Sequence, residues 1–205
     1  METSILLAEL PHALERAIEL LREGQLVAFP TDTVYGLGAL AFDREAIERI
    51  YLVKGRDTTR PISVLVGSPA ALAEVTAGMN ALARCLAEKF WPGALTLVVP
   101  RHPALPDNLF AQPTIGVRMP DHPVVLALLK QAGPLTGTSA NLSGQPSPST
   151  AQEVYAQLSG RIPLILDGGR TPGGSPSTVV DCTGSQPVIL RLGPITREQI
   201  FSAFS

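Results

Sequence analysis

The sequence predicts a mixed α/β protein, with a twisted open sheet of about seven strands and flanking helices. Short runs rich in Val, Ile and Leu alternate with segments whose apolar residues recur every three or four positions. Glycine, proline and capping residues separate these segments at short intervals, which is typical of layered α/β folds. No long linker divides the chain, so we expect a single domain over residues 1–205.

In the first half of the chain, helices and strands have recognisable boundaries. Apolar residues at helical spacing from Leu10 to Arg22 predict a first helix. Asp43 is a suitable N-cap for a helix that reaches Val53, and Ser68 followed by proline is a typical helix start. The predicted strands cover 26–29, 34–42, 62–66 and 95–99, and the predicted helices cover 10–22, 43–53, a segment from 68 and 80–90.

The second half continues the same alternation. Pro123 begins a predicted helix that Gly133 ends, and Thr150 with Glu153 forms a capping-box pattern. The Gly- and Pro-rich stretch 168–177 lies between strands, so we expect a mobile loop beside a functional site. The predicted strands cover 114–119, 134–138, 163–166, 178–180 and 188–192, and the predicted helices cover 123–133, 150–158 and a short segment from 196.

Composition narrows the class of protein. The 45% hydrophobic content is enough for a substantial core, and the net charge of −2 argues against a globally basic nucleic-acid binder. Cys85 and Cys182 lie far apart in apolar surroundings, so we expect two reduced thiols. The sequence contains neither an apolar run of membrane-spanning length nor a secretory leader pattern, so we expect a cytoplasmic protein without membrane contact.

Three polar segments carry the chemistry. Lys54-Gly55-Arg56 follows a predicted helix, Ser139-Ala140-Asn141 follows a predicted strand, and the strand beginning at Thr114 ends in Arg118. A phosphate-bearing, anionic substrate requires fixed positive charge and short hydrogen-bond donors, and a guanidinium suits a carboxylate. An isolated Lys-x-Arg pair is also typical of a solvated turn, so the order of the segments carries the prediction.

Five segments in this order resemble the threonylcarbamoyl-AMP synthase family, the YrdC-domain proteins, from about Gly24 to Gly193. The segments are PTDTVYGLG, KGR, VRMPDHP, TSANLSGQPSPST and STVVD. The resemblance implies a concave basic cleft and a nucleotidyltransferase. That enzyme forms threonylcarbamoyl-AMP and pyrophosphate from L-threonine, bicarbonate or CO2, and ATP, for threonylcarbamoyl adenosine in tRNA. It also implies Mg²⁺ with the ATP, and tRNA threonylcarbamoyl-transfer proteins as downstream partners.

The resemblance also assigns roles to individual residues, with Lys54 and Arg56 as the catalytic cations and no protein ligand to a metal. Two positions depart from the family pattern, because Arg60 stands where many relatives have Asn and Leu65 where many have His. The second departure leaves the choice of amino acid open. The implied ATP-binding residues are Lys54, Arg56, Arg60, Thr114, Ser139, Asn141, Ser147 and Arg191, and the implied threonine-binding residues are Thr33, Arg118 and Ser177.

Other functions remain open at this point. Gly36 and Gly38 resemble part of a dinucleotide fingerprint, but the last position of the pattern is Ala41 and the segment is typical of a strand. Ser139 resembles a hydrolase nucleophile, yet Asn141 replaces the required glycine. A local patch of five cations also fits an RNA-binding module without adenylate-forming activity. A related enzyme that uses a different amine or acid is the second alternative.

Overall fold

The computed structural model describes residues 1–172 and 174–204. Gly173, inside the predicted 168–177 loop, and Ser205 lie outside the described residues. The strands are β1 Ser4–Leu7, β2 Val27–Phe29, β3 Gly36–Gly38, β4 Ser63–Leu65, β5 Leu95–Pro100, β6 Thr114–Arg118, β7 Leu135–Ser139, β8 Leu164–Asp167, β9 Thr178–Asp181 and β10 Val188–Arg191. The helices are α1 Pro11–Arg22, α2 Arg44–Lys54, α3 Pro69–Val75, α4 Ala81–Phe90, α5 Pro123–Ala132, α6 Ala151–Leu158 and α7 Arg197–Phe201, with 3₁₀ turns at Asp107–Leu109 and Ser202–Phe204.

The strands form one open mixed sheet in the order β1-β8-β2-β3-β7-β4-β6-β5-β9-β10. The sheet contains both parallel pairs, such as β4 with β6, and antiparallel pairs, such as β3 with β7. The predicted class is therefore confirmed, but the predicted number of about seven strands is too low, because the described residues form ten. All nine segments predicted as strands are present, and β1 is the additional strand. The Ser4–Leu7 run was not recognised as a strand, since it is short and partly exposed and is defined by its pairing with β8.

Helices cover both faces of the sheet. In β2, Val27 and Phe29 belong to one apolar cluster and Ala28 belongs to the other, and β8 alternates in the same way. Because successive strand residues point to opposite faces, the two clusters lie on opposite sides of these strands. The first cluster includes residues of α1 and α5, and the second includes residues of α2, α4 and α6. The predicted flanking helices are confirmed.

Capping residues begin the helices where the sequence predicts. The Asp43 carboxylate accepts a hydrogen bond from the Ala46 amide at 2.9 Å and begins α2. Thr196 and Gln199 form a complete capping box at α7. Each such cap satisfies an amide that would otherwise lack a partner, a contribution of about 1 kcal/mol. These contacts are local in sequence, which explains why they were predictable.

The predicted capping box at α6 forms only in part. Thr150 accepts from the Glu153 amide at 3.2 Å, as predicted. The Glu153 carboxylate instead accepts from the amide of Ser149, one residue before the cap, at 2.7 Å. That contact lowers the pKa of Glu153.

Within the described parts of the chain, no helix combines the length and apolar character that crossing a bilayer requires.

Candidate functional site

A cavity of about 360 Å³ lies where the ends of β3, β4, β6 and β7 meet the end of α2. Residues from distant parts of the sequence line it together. Nine of the eleven predicted site residues are among them: Thr33, Lys54, Arg56, Arg60, Arg118, Ser139, Asn141, Ser177 and Arg191. Segments separated by more than 130 residues in sequence therefore converge on one site.

Two predicted residues, Thr114 and Ser147, do not line this cavity. Thr114 begins β6 and Arg118 ends it, so the two lie about 13 Å apart along the strand. Ser147 lies in the loop between β7 and α6 and is half-buried. The nucleotide contacts assigned to these two residues stay predictions.

Lys54 joins the two segments that the sequence singles out. It is the last residue of α2, and Gly55 ends the helix with the left-handed φ of 57° that glycine tolerates. The Lys54 Nζ donates to the Ser139 carbonyl and, at 2.6 Å, to the Asn141 carbonyl. The side chain is only 2% exposed. Burial, and next the charges of Arg56 and Arg60, lower the pKa of Lys54 to about 7.

The segment that follows α2 is held by backbone carbonyls. Arg56 donates from NH2 to the Pro61 carbonyl at 3.0 Å and is half-buried. The Tyr51 hydroxyl lies 3.2 Å from the carbonyl oxygens of both Arg60 and Leu109. Tyr51 thus anchors the Arg60 end of the Arg56–Arg60 segment by a hydrogen bond. The sequence does not reveal this role, because Tyr51 is there only one apolar residue of a predicted helix.

Arg118 is the most firmly held cation of the site. Its Nε donates to the Gly93 carbonyl at 2.9 Å, NH1 donates to the Thr33 hydroxyl at 3.1 Å, and NH2 donates to Asp32 at 2.5 Å. A guanidinium has five N–H groups, so one remains on each terminal nitrogen. A carboxylate that approaches these two N–H groups can accept from both, and guanidinium groups commonly bind carboxylates through such a planar fork.

Asp32 is a residue of the site that the sequence analysis missed. Its side chain is 15% exposed and that of Arg118 is 8% exposed, so this ion pair is largely removed from water. The Asp32 carboxylate also accepts from the Asp121 amide at 3.1 Å. Its place beside Thr33 in the PTDTVYGLG segment was a signal. The pairing with Arg118, 86 positions away, is decided only by the fold.

Hydrogen bonds also hold Ser177 and Arg191 to each other in the cavity wall. The Ser177 hydroxyl lies 2.7 Å from the Thr96 hydroxyl, and Arg191 donates from Nε and NH2 to the Ser177 carbonyl at 3.1 and 2.8 Å. Gly193 packs directly against this segment, because a Cβ there would lie 2.3 Å from the Pro176 carbonyl oxygen. Because Gly193 has no side chain, its backbone can lie directly against the backbone of residues 176–178.

Leu65 lines the cavity at the position where the sequence departs from the family pattern. It is buried at the end of β4, beside Arg118 of β6 in the register of the sheet. Its side chain covers Gly137, where an added Cβ would lie 2.6 Å from the Leu65 Cγ. An apolar side chain therefore lies beside Arg118 in the wall of the cavity.

The structure argues against the two motif-based alternatives. Gly36 and Gly38 lie in β3 against the fully buried Phe29, whose ring an added Cβ at either glycine would approach within 3 Å. Strand packing accounts for these glycines. Among the described residues that line the cavity, none is a histidine that could activate Ser139 as a nucleophile.

The fold and this cavity define a class of protein. A mixed α/β sheet brings one lysine and four arginines together with short hydroxyl and amide groups, which suits a ligand with several negative charges. A family model of Sua5, YciO and YrdC proteins, described as "Telomere recombination", matches residues 19–193. The chain belongs to this family.

Individual relatives agree with this assignment. A threonylcarbamoyl-AMP synthase of Bacillus subtilis is 48% identical over 188 residues, which are 90% of this chain and 54% of that protein. A threonylcarbamoyl-AMP synthase of Vibrio cholerae is 37% identical over 88% of this chain and 97% of that protein. The crystal structure of P. abyssi Sua5 complexed with L-threonine has a TM-score of 0.90 at 42% identity, covering 93% of this chain and 56% of that one. The chain thus spans about half the length of some relatives and nearly all of others.

Proposed function

We propose that this protein is a threonylcarbamoyl-AMP synthase. It joins L-threonine, bicarbonate and ATP into threonylcarbamoyl-AMP and pyrophosphate, which makes it a nucleotidyltransferase. One observation carries the proposal: the Arg118 guanidinium, which Thr33 helps to hold, and the cations around Lys54 share a single cavity. The similarity to a Sua5 protein solved with L-threonine supports the same substrate here.

Each part of the cavity has a task in this reaction. The two remaining N–H groups of Arg118 bind the threonine carboxylate, and Thr33 and Ser177 contact the same amino acid. Lys54, Arg56 and Arg191 screen the repulsion between the anionic carbamate and the triphosphate. The carbamate oxygen attacks the α-phosphorus and pyrophosphate leaves. Because the chain holds both reactants in line, positioning supplies much of the acceleration without a covalent intermediate.

Magnesium fits this site as an ion that arrives with the nucleotide. Mg²⁺ keeps several waters and binds mainly through substrate phosphates, and the hydroxyl groups of Ser139 and Ser143, which line the cavity, can hydrogen-bond to those waters. Among the described residues, no group of three or more His, Cys, Asp or Glu side chains gathers into a metal site. The ion supplies charge neutralisation on the phosphates when it is bound. Proteins that transfer the threonylcarbamoyl group to tRNA are the proposed partners that consume the product.

Mass spectrometry of the product mixture tests the proposal. The protein is incubated with MgATP, bicarbonate and each of a panel of amino acids, and we expect the carbamoylated amino acid joined to AMP with threonine alone. The panel also tests whether Leu65 changes the choice of amino acid. A product with another amino acid would favour a related synthase. Absence of ATP consumption, together with salt-dependent RNA binding in a gel shift, would favour the RNA-binding alternative.

Replacing Arg56 tests the assignment of the nucleotide-binding cations. We expect Arg56→Ala to lower kcat/KM for ATP about tenfold, because a half-buried charge-assisted contact contributes about 1.5 kcal/mol. Pyrophosphate release with threonine, bicarbonate and ATP is the measurement. Arg84→Ala, an exposed arginine on α4, is the matched control. Equal rates in both variants would contradict the role of Arg56.

Replacing Asp32 tests whether this carboxylate positions Arg118. We expect Asp32→Asn to raise the KM for threonine about tenfold and to leave the KM for ATP within about twofold. The amide keeps the shape of the side chain but weakens the hydrogen bond that fixes the guanidinium plane. Steady-state kinetics with each substrate varied in turn measures the effect. Parallel increases in both KM values would show that Asp32 supports the whole fold instead.

A further inference from the structure

Lys54 carries features that binding a phosphate does not require. We propose that Lys54 is neutral before the nucleotide binds and accepts the proton that the threonine amine loses on carbamoylation, an inference that rests on the proposed function. A cation that only binds phosphate has no need of near-complete burial behind two carbonyl groups. Lys54 is 2% exposed and is fixed by the Ser139 and Asn141 carbonyls.

The two carbonyl acceptors of Lys54 are sufficient for a neutral amine. An ammonium has three N–H groups, whereas a neutral amine has two and one lone pair. Within the described part of the chain, Nζ has two acceptors, the carbonyls of Ser139 and Asn141. The neutral amine therefore has a partner for each N–H group, and its lone pair remains available in a side chain that lines the cavity.

The positive charges around Lys54 also favour its neutral form. Arg56 and Arg60 follow it in the chain, and Arg118 of β6 and Arg191 of β10 line the same cavity. The Asp32 carboxylate next to this group is engaged by Arg118. Burial first, and then Arg56 and Arg60, lower the pKa of Lys54 to about 7. A triphosphate that binds after the carbamate has formed stabilises the added proton on Lys54, because an opposite charge favours the protonated form. When threonine is absent, nucleotide binding draws the same proton from solvent.

Carbamate formation supplies the proton that this site can take. The threonine ammonium first loses a proton, which frees the nitrogen lone pair to form the C–N bond with bicarbonate, and a C–O bond of bicarbonate breaks. That first proton passes to the Lys54 Nζ, the leaving hydroxyl departs as water with a second nitrogen proton, and the third stays on the carbamate nitrogen. Lys54 is then cationic when the carbamate and the triphosphate need their repulsion screened.

Proton uptake on nucleotide binding is the direct test. MgATP is titrated calorimetrically into the protein in two buffers with different ionisation enthalpies, which gives the protons taken up per nucleotide. We expect Lys130→Met, on the exposed surface of α5, to take up about 0.9 proton more than Lys54→Met at pH 8 and about 0.1 more at pH 6. Protons that MgATP itself gains or loses on binding contribute equally in both variants. The difference in proton uptake between the two variants therefore comes from Lys54.

Each result of the titration decides something. ATP binding with equal uptake by the two variants overturns the role of Lys54 and leaves the proposed function in place. Absence of ATP binding by the unmodified protein overturns both. If Lys54→Met does not fold, Lys54→Arg replaces it, because arginine keeps the charge and cannot release its proton. We then expect the same difference in uptake from the Lys130→Met control.

Chemical rescue separates proton transfer from charge. In Lys54→Ala, we expect added methylamine to raise the single-turnover rate of threonylcarbamoyl-AMP formation at least tenfold. Across a series of primary amines, the rate should increase with the basicity of the amine. Guanidinium has the same charge as a protonated amine, but it stays fully protonated near neutral pH and cannot accept a proton. Equal rescue by guanidinium would show that Lys54 acts only as a charge, and the proposal would be wrong.

Discussion

Arg118→Lys is expected to raise the KM for L-threonine about 100-fold while the KM for ATP changes less than about threefold. The guanidinium makes three fixed contacts, to Gly93, Thr33 and Asp32, and keeps two coplanar N–H groups for a carboxylate. A lysine ammonium reproduces the charge but neither the fork nor all three supports. The loss of a buried bidentate contact is worth about 3 kcal/mol.

Steady-state pyrophosphate release, with threonine and ATP varied separately, measures this effect. Arg101→Lys is the matched control, because Arg101 donates to the carbonyls of Pro106 and Phe110 and does not line the cavity. We expect the control to keep both KM values within about twofold. A threonine KM unchanged in Arg118→Lys would disprove the assignment of the carboxylate fork.

Gly193→Ala is expected to destabilise the protein by about 3 kcal/mol, the upper end for overpacking. An added Cβ would lie 2.3 Å from the Pro176 carbonyl oxygen, 2.5 Å from the Thr178 amide nitrogen and 2.6 Å from the Ser177 carbonyl carbon. All three are backbone atoms, so a rotamer change cannot relieve the contact. The segment that carries Ser177 has to move, and the Gly193 amide loses its 2.9 Å hydrogen bond to the Thr178 hydroxyl.

Thermal unfolding followed by circular dichroism gives the measurement. For a chain of this size, 3 kcal/mol corresponds to a decrease in Tm of about 6–12 °C. Gly184→Ala is the control, because the nearest atom to its added Cβ is 3.9 Å away. A decrease of the same size in both variants would mean that the effect comes from glycine replacement in general and not from the packed backbone at Gly193.

The site was predictable to the extent that it depends on residue chemistry. The Lys-x-Arg pair, the S-x-N segment and the strand-terminal Arg118 were found because their charge and donor groups are visible in the sequence. Nine of the eleven residues then proved to share one cavity. Thr114 and Ser147 were carried over by resemblance and lie outside its lining.

What was missed depends on contacts across the fold. Asp32 supports Arg118 from 86 positions away, and Tyr51 reaches the Leu109 carbonyl from 58 positions away. In the sequence, the first is one carboxylate in a motif and the second is one apolar residue of a helix. The edge strand β1 was missed for the same reason, because its pairing with β8 defines it.

The sequence by itself determined the class of fold, most element boundaries and the charged and polar residues of the candidate site. Those properties follow from periodicity, capping and side-chain charge, all of which act over a few neighbouring residues. Only the tertiary structure decided the ten-strand order, the carboxylate that fixes Arg118 and the burial of Lys54 behind two carbonyls. Burial and pairing depend on which distant segments the sheet brings together, and they set the charge state and orientation on which the chemistry relies.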